Sequence, residues 1–385
     1  AGAEVINLGS AILIPGMITA HTHLEFSSLE KPLGRPGMSL PEWIRVVLTW
    51  RQTREESADR RAREAALNRG IAESIAAGTT FLGEILSEPF ESRFLEIYAA
   101  AGISGVTFLE LIGLRENRES KRLDIGIGMA SSLASYSLRR SQWDLVRWIG
   151  GLSPHAPYTV HPQLLEETCR VGPFARLPLA MHLAESREEL ELLAHQTGPF
   201  RTLLEERGVW EASAFCAGGR PLDSLKQLAK APRALVVHGN YLDEEEIAFI
   251  AARADRLSVV YCPRTHAYFG HGPHPLPKLL AAGANVCLGT DGRGSNPDLS
   301  LLAEMRFLAG LLQAPPLPAI LELGTHNAAR ALGCLHHRGS LTPGKRAEFT
   351  AVRVPEAAEG DPYELLFGGE AKVDGVWAGG ERLEA

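Results

Sequence analysis

Two histidines one residue apart, His21 and His23, close a short apolar run over residues 17–20 that follows the pair Pro15-Gly16. In an extended strand, residues i and i+2 point to the same face, so both imidazoles can aim at one point. Imidazole is the commonest protein ligand for zinc-like ions. A His-x-His pair is also what chance leaves at a solvated strand end, and further ligands at other strand ends decide between the two. The apolar run 177–182 ends in His182, with Glu185 three residues on; the run 234–238 ends in His238; the run 286–290 is followed by Asp291. Singly, each has a bland explanation, a core histidine bonded to a carbonyl or a turn aspartate in Thr-Asp-Gly. Jointly they do not, because burying these groups unpaired is costly and a divalent cation satisfies them together. Three histidines and an aspartate leave a coordination position for water, as in catalytic rather than structural sites.

The elements that must deliver these residues read as short strands alternating with helices. Apolar runs fall at 17–20, 79–84, 103–109, 146–152, 177–182, 234–238, 257–261 and 286–290. Helical periodicity predicts an aromatic-rich helix from about Pro41, carrying Trp43 and Trp50, and a long helix over 55–77 ended by Gly78. Further helices are predicted around Phe94, over 161–169, 185–195, 243–254 (Asp243 as N-cap), 276–282, 299–312 and 318–332. Residues 115–140 are polar and indistinct, with weak helical signal near 129–136. Eight such repeats predict an α/β chain closed into a (β/α)8 TIM barrel, with a three-layer open sheet as the competing architecture. In a barrel all C-terminal strand ends converge on one face, which brings the six residues above together. The barrel is expected over 15–338, with residues 1–14 and 339–385 forming a small β appendage around β-like runs at 349–354 and 372–377.

Composition narrows the function classes. The chain has 385 residues and a net charge of −7, which argues against a general nucleic-acid or anionic-membrane binder while allowing a small anionic substrate. Its five cysteines are scattered and form no Cys-x-x-Cys, which fits a reducing compartment. No apolar run is long enough to span a bilayer and no signal peptide is apparent, so the cytoplasm is the expected location.

Five motifs carry a resemblance to the amidohydrolase superfamily, in its aminohydrolase and chlorohydrolase branch. They are Pro-Gly-Met-Ile-Thr-Ala-His-Thr-His from Pro15, Ser-Pro-His-Ala-Pro-Tyr-Thr from Ser153, His-Leu-Ala-Glu-Ser from His182, Val-His-Gly-Asn from Val237, and Leu-Gly-Thr-Asp-Gly-Arg-Gly-Ser-Asn from Leu288. The tail Gly-Ser-Leu-Thr-Pro-Gly-Lys from Gly339 also matches. The resemblance implies one divalent metal, zinc or in some members iron(II), held by His21, His23, His182 and Asp291. The run 151–153 offers no lysine to bridge two metals, which implies a mononuclear site. It also implies that Glu185 shuttles protons, that Asp291 takes the water proton and that His238 orients the water or polarises the bond under attack.

The implied reaction is hydrolytic deamination of an aminopurine or adenine nucleoside, a small heterocycle. The loop His23-Leu24-Glu25-Phe26-Ser27-Ser28 resembles deaminases of 6-aminodeoxyfutalosine, an adenine-containing menaquinone precursor, and places Glu25 among the substrate contacts. His155 is similarly placed, and Trp43 stands where the family has a pocket-walling aromatic, or else is a core residue. Arg264 is placed to meet an anionic group such as a benzoate, or else is a surface ion-pair partner. The position nearest to the ribose-gripping acid of adenosylhomocysteine deaminases holds Gln52, beside Arg51. A second enzyme reading expels chloride or an alkylamine from a triazine-like ring. A third is an inactive metal-retaining barrel, against which the retention of Glu185, His238 and Asp291 argues. Family members usually begin with several β-sandwich strands, whereas this chain starts at Ala1-Gly2, almost directly on the apolar run. The appendage is therefore expected to be frayed, or completed in a homodimer.

Overall fold

A computed structural model describes residues 5–52, 56–115, 119–138, 148–356 and 359–384. The chain enters through β1 (Ala11–Pro15) and passes Gly16 into β2 (Met17–Thr22). Then follow α1 (Leu40–Gln52), α2 (Glu56–Ala76), β3 (Thr79–Leu86), α3 (Ser92–Ala100), β4 (Ser104–Leu111), α4 (Glu119–Leu138), β5 (Trp148–Pro154) and α5 (Pro162–Ala175). The next stretch contains β6 (Leu179–Leu183), α6 (Arg187–His195), α7 (Pro199–Glu206), α8 (Pro221–Leu228), β7 (Ala234–His238), α9 (Glu244–Ala251), β8 (Leu257–Tyr261), α10 (Pro263–Tyr268), α11 (Leu276–Ala281) and β9 (Asn285–Leu288). Beyond the last barrel strand come α12 (Leu301–Ala309), α13 (Leu317–Leu323), α14 (His326–Ala331), β10 (Phe349–Arg353), α15 (Pro362–Phe367), β11 (Lys372–Ala378) and β12 (Glu381–Arg382).

Strands β2 to β9 form one parallel sheet in sequence order. It closes on itself, because Thr290 and Asp291 donate their backbone N–H to the His21 carbonyl at 3.0 and 3.2 Å and Thr22 Oγ1 donates to the Asp291 carbonyl at 2.9 Å. This is the (β/α)8 barrel and not the open sheet. Closure is tight at β2: a Cβ on Gly289 would lie 2.8 Å from the His21 carbonyl oxygen, so only glycine lets the strands approach.

Alternation along the strands builds two apolar layers. Ile18, Phe81, Val106, Phe108, Leu235 and Val260 fill the barrel interior. Met17, Leu82, Leu109, Leu152, Met181 and Val259 pack outward against the helices. Each fully buried side chain of this size contributes about 1.5–3 kcal/mol of transfer free energy, which fixes the strand register and with it the direction of the residues at the strand ends.

Several predicted elements differ in extent. The indistinct 115–140 stretch holds the 20-residue helix α4, so the weak signal near 129–136 marked only part of it; residues 116–118 and 139–140 lie outside the described residues. Val146 and Arg147, expected to start a strand, also lie outside them. The helix predicted over 185–195 begins at Arg187, because Ser186 caps it by accepting from the Glu189 N–H. Asp243 caps α9 as expected, in a reciprocal box with Glu246. The helix expected over 318–332 breaks into α13 and α14 at Gly324.

The appendage is a four-stranded antiparallel sheet in the order β1-β10-β11-β12. All five residues of β1 pair with β10, from Ala11 opposite Arg353 to Pro15 opposite Phe349. Fraying is therefore not what the structure shows. The sheet is tied to the barrel by Thr350 Oγ1, which donates to the Gly78 carbonyl at 2.7 Å, and by buried Arg338, which reaches Glu348 and Ser104 Oγ at 2.8 Å each. Among the described residues no helix is long and apolar enough to cross a membrane.

Candidate active site

The polar side chains at the barrel mouth are delivered by the ends of four strands. His21 lies in β2 with His23 just past it, His182 lies in β6, His238 ends β7, and Asp291 follows β9. The structure brings all five together. Ring centroids of His21 are 4.8 Å from His23, 5.0 Å from His182 and 5.7 Å from His238. Ligand-capable atoms of His21, His23 and His182 lie within 4.8 Å of one another. Asp291 Oδ1 is 3.6 Å from His21 Nε2 and 3.8 Å from His23 Nε2.

The donor set is what a divalent cation needs. Among the described residues, both ring nitrogens of His21 and Nδ1 of His23 are buried with no hydrogen-bond partner, an arrangement that costs about 1–3 kcal/mol per group unless something ligates them. His182 donates from Nδ1 to the His155 carbonyl at 3.1 Å, which leaves Nε2 as the lone-pair nitrogen, 3.3 Å from His23 Nε2. Burial holds the imidazoles of His21, His23 and His238 well below their ordinary pKa, and that of His182 at about 4, with neighbouring histidines adding to the effect in each case. They are neutral, the form that coordinates a metal. A second triad of Glu110, His155 and His182 is also close enough for one ion. Since His182 has one ring nitrogen to give, the two triads are alternatives.

Glu185 and His238 stand beside this cluster. His238 Nε2 is 3.4 Å from Glu185 Oε1, and both side chains are buried. Burial, then the charges of Asp291 and Glu189, push the Glu185 carboxyl well above its ordinary pKa. The loop carrying Glu185 is pinned on both sides. Glu189 accepts from the Ala184 and Glu185 N–H groups at 2.8 and 2.9 Å, and Asn240 Nδ2 donates to the Glu185 carbonyl at 2.9 Å. Ala184, His238 and Asp291 have φ of 53°, 70° and 53°. Non-glycine residues seldom adopt this left-handed conformation, and here it turns the chain sharply at three strand ends around one point.

A cavity of about 330 Å³ opens above this floor. His155 and Trp43 line it. His155 Nδ1 lies 2.6 Å from Thr159 Oγ1, and Trp43 donates from Nε1 to the Gly294 carbonyl at 3.1 Å while packing edge-on against Phe269. Two expected contacts are placed elsewhere. Arg264 is not at the cavity: its Nε meets Glu304 and its Nη2 meets Asp298, each at 2.7 Å, so it is the ion-pair partner. Glu25 lies behind the wall, accepting from Arg51 Nη2 at 2.7 Å and from Ser87 Oγ at 2.8 Å. Burial and the nearby Glu25 charge raise the pKa of Glu110, although His182 and Arg51 oppose them. Ser87 Oγ is 2.8 Å from Glu110 Oε2 as well as from Glu25. Ser87 has one hydroxyl hydrogen to offer the two carboxyl groups that it bridges.

Glu110, Ser87, Arg51 and Arg207 line the cavity and were missed in the sequence. Glu110 had a signal, an acid interrupting the run Phe108-Leu109-Glu110-Leu111 at the same depth as the histidines. The arginines had none, because helix ends commonly carry them.

Comparison with known proteins agrees with this geometry. A model of the amidohydrolase family matches residues 12–383. The chain belongs to that family. A 5-methylthioadenosine/S-adenosylhomocysteine deaminase of Pyrococcus furiosus is 32% identical over 86% of this chain and 72% of its own length. Among solved structures, Helicobacter pylori aminofutalosine deaminase in complex with methylthio-coformycin superposes with a TM-score of 0.80 at 23% identity, over 97% of this chain and 87% of that one. Atrazine chlorohydrolase from Arthrobacter aurescens TC1, complexed with zinc, gives 0.75 at 20% identity, over 97% and 84%. At those identities the two structures testify to the fold alone.

Proposed function

We propose that this amidohydrolase is a metal-dependent hydrolytic deaminase of an adenine nucleoside, of the 5′-modified kind that its relatives are named for. The observation that carries the reading is the convergence of three neutral imidazoles and Asp291 with a raised carboxyl and a further histidine on the floor of one cavity. His21, His23, His182 and Asp291 would hold the cation, with zinc as the assigned metal and iron(II) as its rival. When bound, such an ion lowers the pKa of water from near 16 to about 7, so that hydroxide is available at neutral pH.

The chain's own groups do the rest. Asp291 takes the proton of the attacking water. Glu185, protonated because it is buried beside other carboxylates, donates to the ring nitrogen of the base and then carries a proton to the departing amine. His238 holds the water and the attacked carbon in line, its Nε2 fixed by Glu185. Trp43 and Phe269 wall the pocket, and His155 lines it with its ring centroid 5.0 Å from that of His182. The atoms balance: water adds at the amino-bearing carbon, ammonia leaves, and the keto base remains.

The test is ammonia release by zinc-loaded protein from methylthioadenosine, adenosylhomocysteine, 6-aminodeoxyfutalosine, adenosine, guanine and cytosine. Activity on an adenine nucleoside that disappears in Glu185→Gln, with metal still bound by elemental analysis, supports the reading. Release of chloride from a chlorotriazine in place of ammonia from any of these overturns it.

A further inference from the structure

The turn that presents His238 is made of two consecutive left-handed residues, His238 with φ of 70° and Gly239 with φ of 61°. Glycine needs no help to stay there, but a residue with a side chain does, so contacts from outside the turn must hold His238 in place. Two amides of the turn are taken up by the neighbouring strand and the residue after it. Gly239 donates to the Leu183 carbonyl at 3.1 Å, and Tyr241 donates to the Ala184 carbonyl at 3.0 Å. The His238 carbonyl is met by a side chain. His274, in the segment between α10 and α11, brings Nε2 to 3.0 Å from it.

A carbonyl can only accept, so Nε2 of His274 carries the hydrogen. Burial holds the imidazole at about 3, although the bond to His238 opposes this, and the ring is therefore neutral. Its Nδ1 is the lone-pair nitrogen, buried without a hydrogen-bond partner among the described residues. The ring plane is fixed as well. It stacks on Tyr261, the last residue of β8, with centroids 3.9 Å apart and planes at 23°, and it meets His266 edge-on at 5.7 Å. Tautomer, plane and position thus aim one N–H at the backbone of one working residue. Without that donor the carbonyl would be buried unpaired, and the turn would gain by relaxing to an ordinary φ. Relaxation would carry the His238 ring away from Glu185, whose Oε1 lies 3.4 Å from its Nε2.

We infer that His274 is a positioning residue, which acts through the His238 carbonyl to hold the left-handed turn that aims the His238 imidazole into the site. The inference rests on the deaminase reading above, in which His238 keeps the water and the attacked carbon in line. Its rival is a core histidine that fills space beside Tyr261 and satisfies a carbonyl in passing. The two differ in what the hydrogen bond does: a positioning bond governs turnover through His238 alone, whereas a filler acts through packing, whatever residue stands at 238.

The experiment separates donor from ring. His274→Phe keeps a ring against Tyr261 and removes the donor; His274→Gln keeps an N–H at about the reach of Nε2 and removes the ring. In steady-state deamination by zinc-loaded protein, His274→Phe is expected to lower kcat about 10- to 100-fold with KM within about twofold of the parent, and His274→Gln to recover most of that loss. In a His238→Ala background the same His274→Phe change should cost less than about twofold, because its effect runs through a ring already removed. Full kcat in His274→Phe, an equal loss in His274→Gln, or a loss repeated undiminished in the His238→Ala background overturns the inference. Should His274→Phe fail to melt cooperatively, His274→Met, of glutamine's length and without a donor, takes its place. If no adenine nucleoside releases ammonia, the deaminase reading fails, and NMR of zinc-loaded protein labelled at its histidine ring nitrogens still reads the contact. His238 ring resonances that shift in His274→Phe and return in His274→Gln support the positioning role. Resonances that stay put, or that shift equally in both variants, sink it.

Discussion

Two polar clusters sit at the C-terminal ends of the barrel strands. At His21 and His23, buried ring nitrogens have no hydrogen-bond partner among the described residues. Around Arg264, the guanidinium meets Glu304 through Nε at 2.7 Å and Asp298 through Nη1 and Nη2 at 3.1 and 2.7 Å, while its backbone N–H donates to Glu304 at 2.9 Å. The first cluster is incomplete in the protein alone and the second is complete. Polar groups that satisfy one another hold the fold; polar groups left unsatisfied at strand ends are reserved for a ligand.

That contrast can be broken in four ways. Glu185→Gln should cut kcat by about 10³-fold, within the range of general acid–base catalysis, while metal stoichiometry and the unfolding midpoint stay put. Steady-state kinetics beside elemental analysis decides it, and loss of metal in this variant would mean that Glu185 is a ligand. Arg264→Met should do the reverse, lowering stability in urea by about 3–5 kcal/mol because Glu304 is left buried without its counter-ion, with metal still bound at full stoichiometry.

Removing the metal with a chelator should lower stability by about 3–4 kcal/mol if the ion is present at 100 to 1,000 times its dissociation constant. The decrement should persist in Arg264→Met and vanish in His182→Ala, as thermal melts with and without chelator would show. The smallest effect concerns pH. Burial opposes ionisation of Asp298, but its bonds to Arg264 outweigh burial and hold its carboxyl below the ordinary 3.8. The unfolded chain therefore binds the proton more readily, and the stabilisation is present above pH 3.8 and fades as the pH falls below it. Asp298→Asn should flatten the acid limb of a stability–pH curve; an unchanged slope would count against the pair.

In the sequence these two clusters look alike. Glu185 follows the run ending at His182 and Arg264 follows the run ending at Tyr261, each a charged residue just past a strand. The strand-end histidines were legible because period-two alternation and strand termination place them without knowledge of anything distant. The fate of Arg264 was not, because its partners Asp298 and Glu304 lie 34 and 40 residues away and meet it only when the barrel closes. Arg51 and Arg207 were hidden for the same reason, being brought to one cavity by helices that are remote in the chain. The barrel itself was readable from eight apolar runs, whereas α4 was blurred. Its segment Ile125-Gly126-Ile127-Gly128 puts two glycines, poor helix formers, inside a helix that packing retains.

The left-handed backbone at His238 and Asp291 ties working residues to a conformation that glycine adopts freely. Glycine at either position would relieve a backbone cost of about 1 kcal/mol or more while deleting the group that the turn presents. Stability and turnover therefore pull these codons in opposite directions. In a lineage released from selection for the reaction, glycine at these positions would stabilise the metal-free chain, while loss of Asp291 would give up the stabilisation that a bound ion supplies.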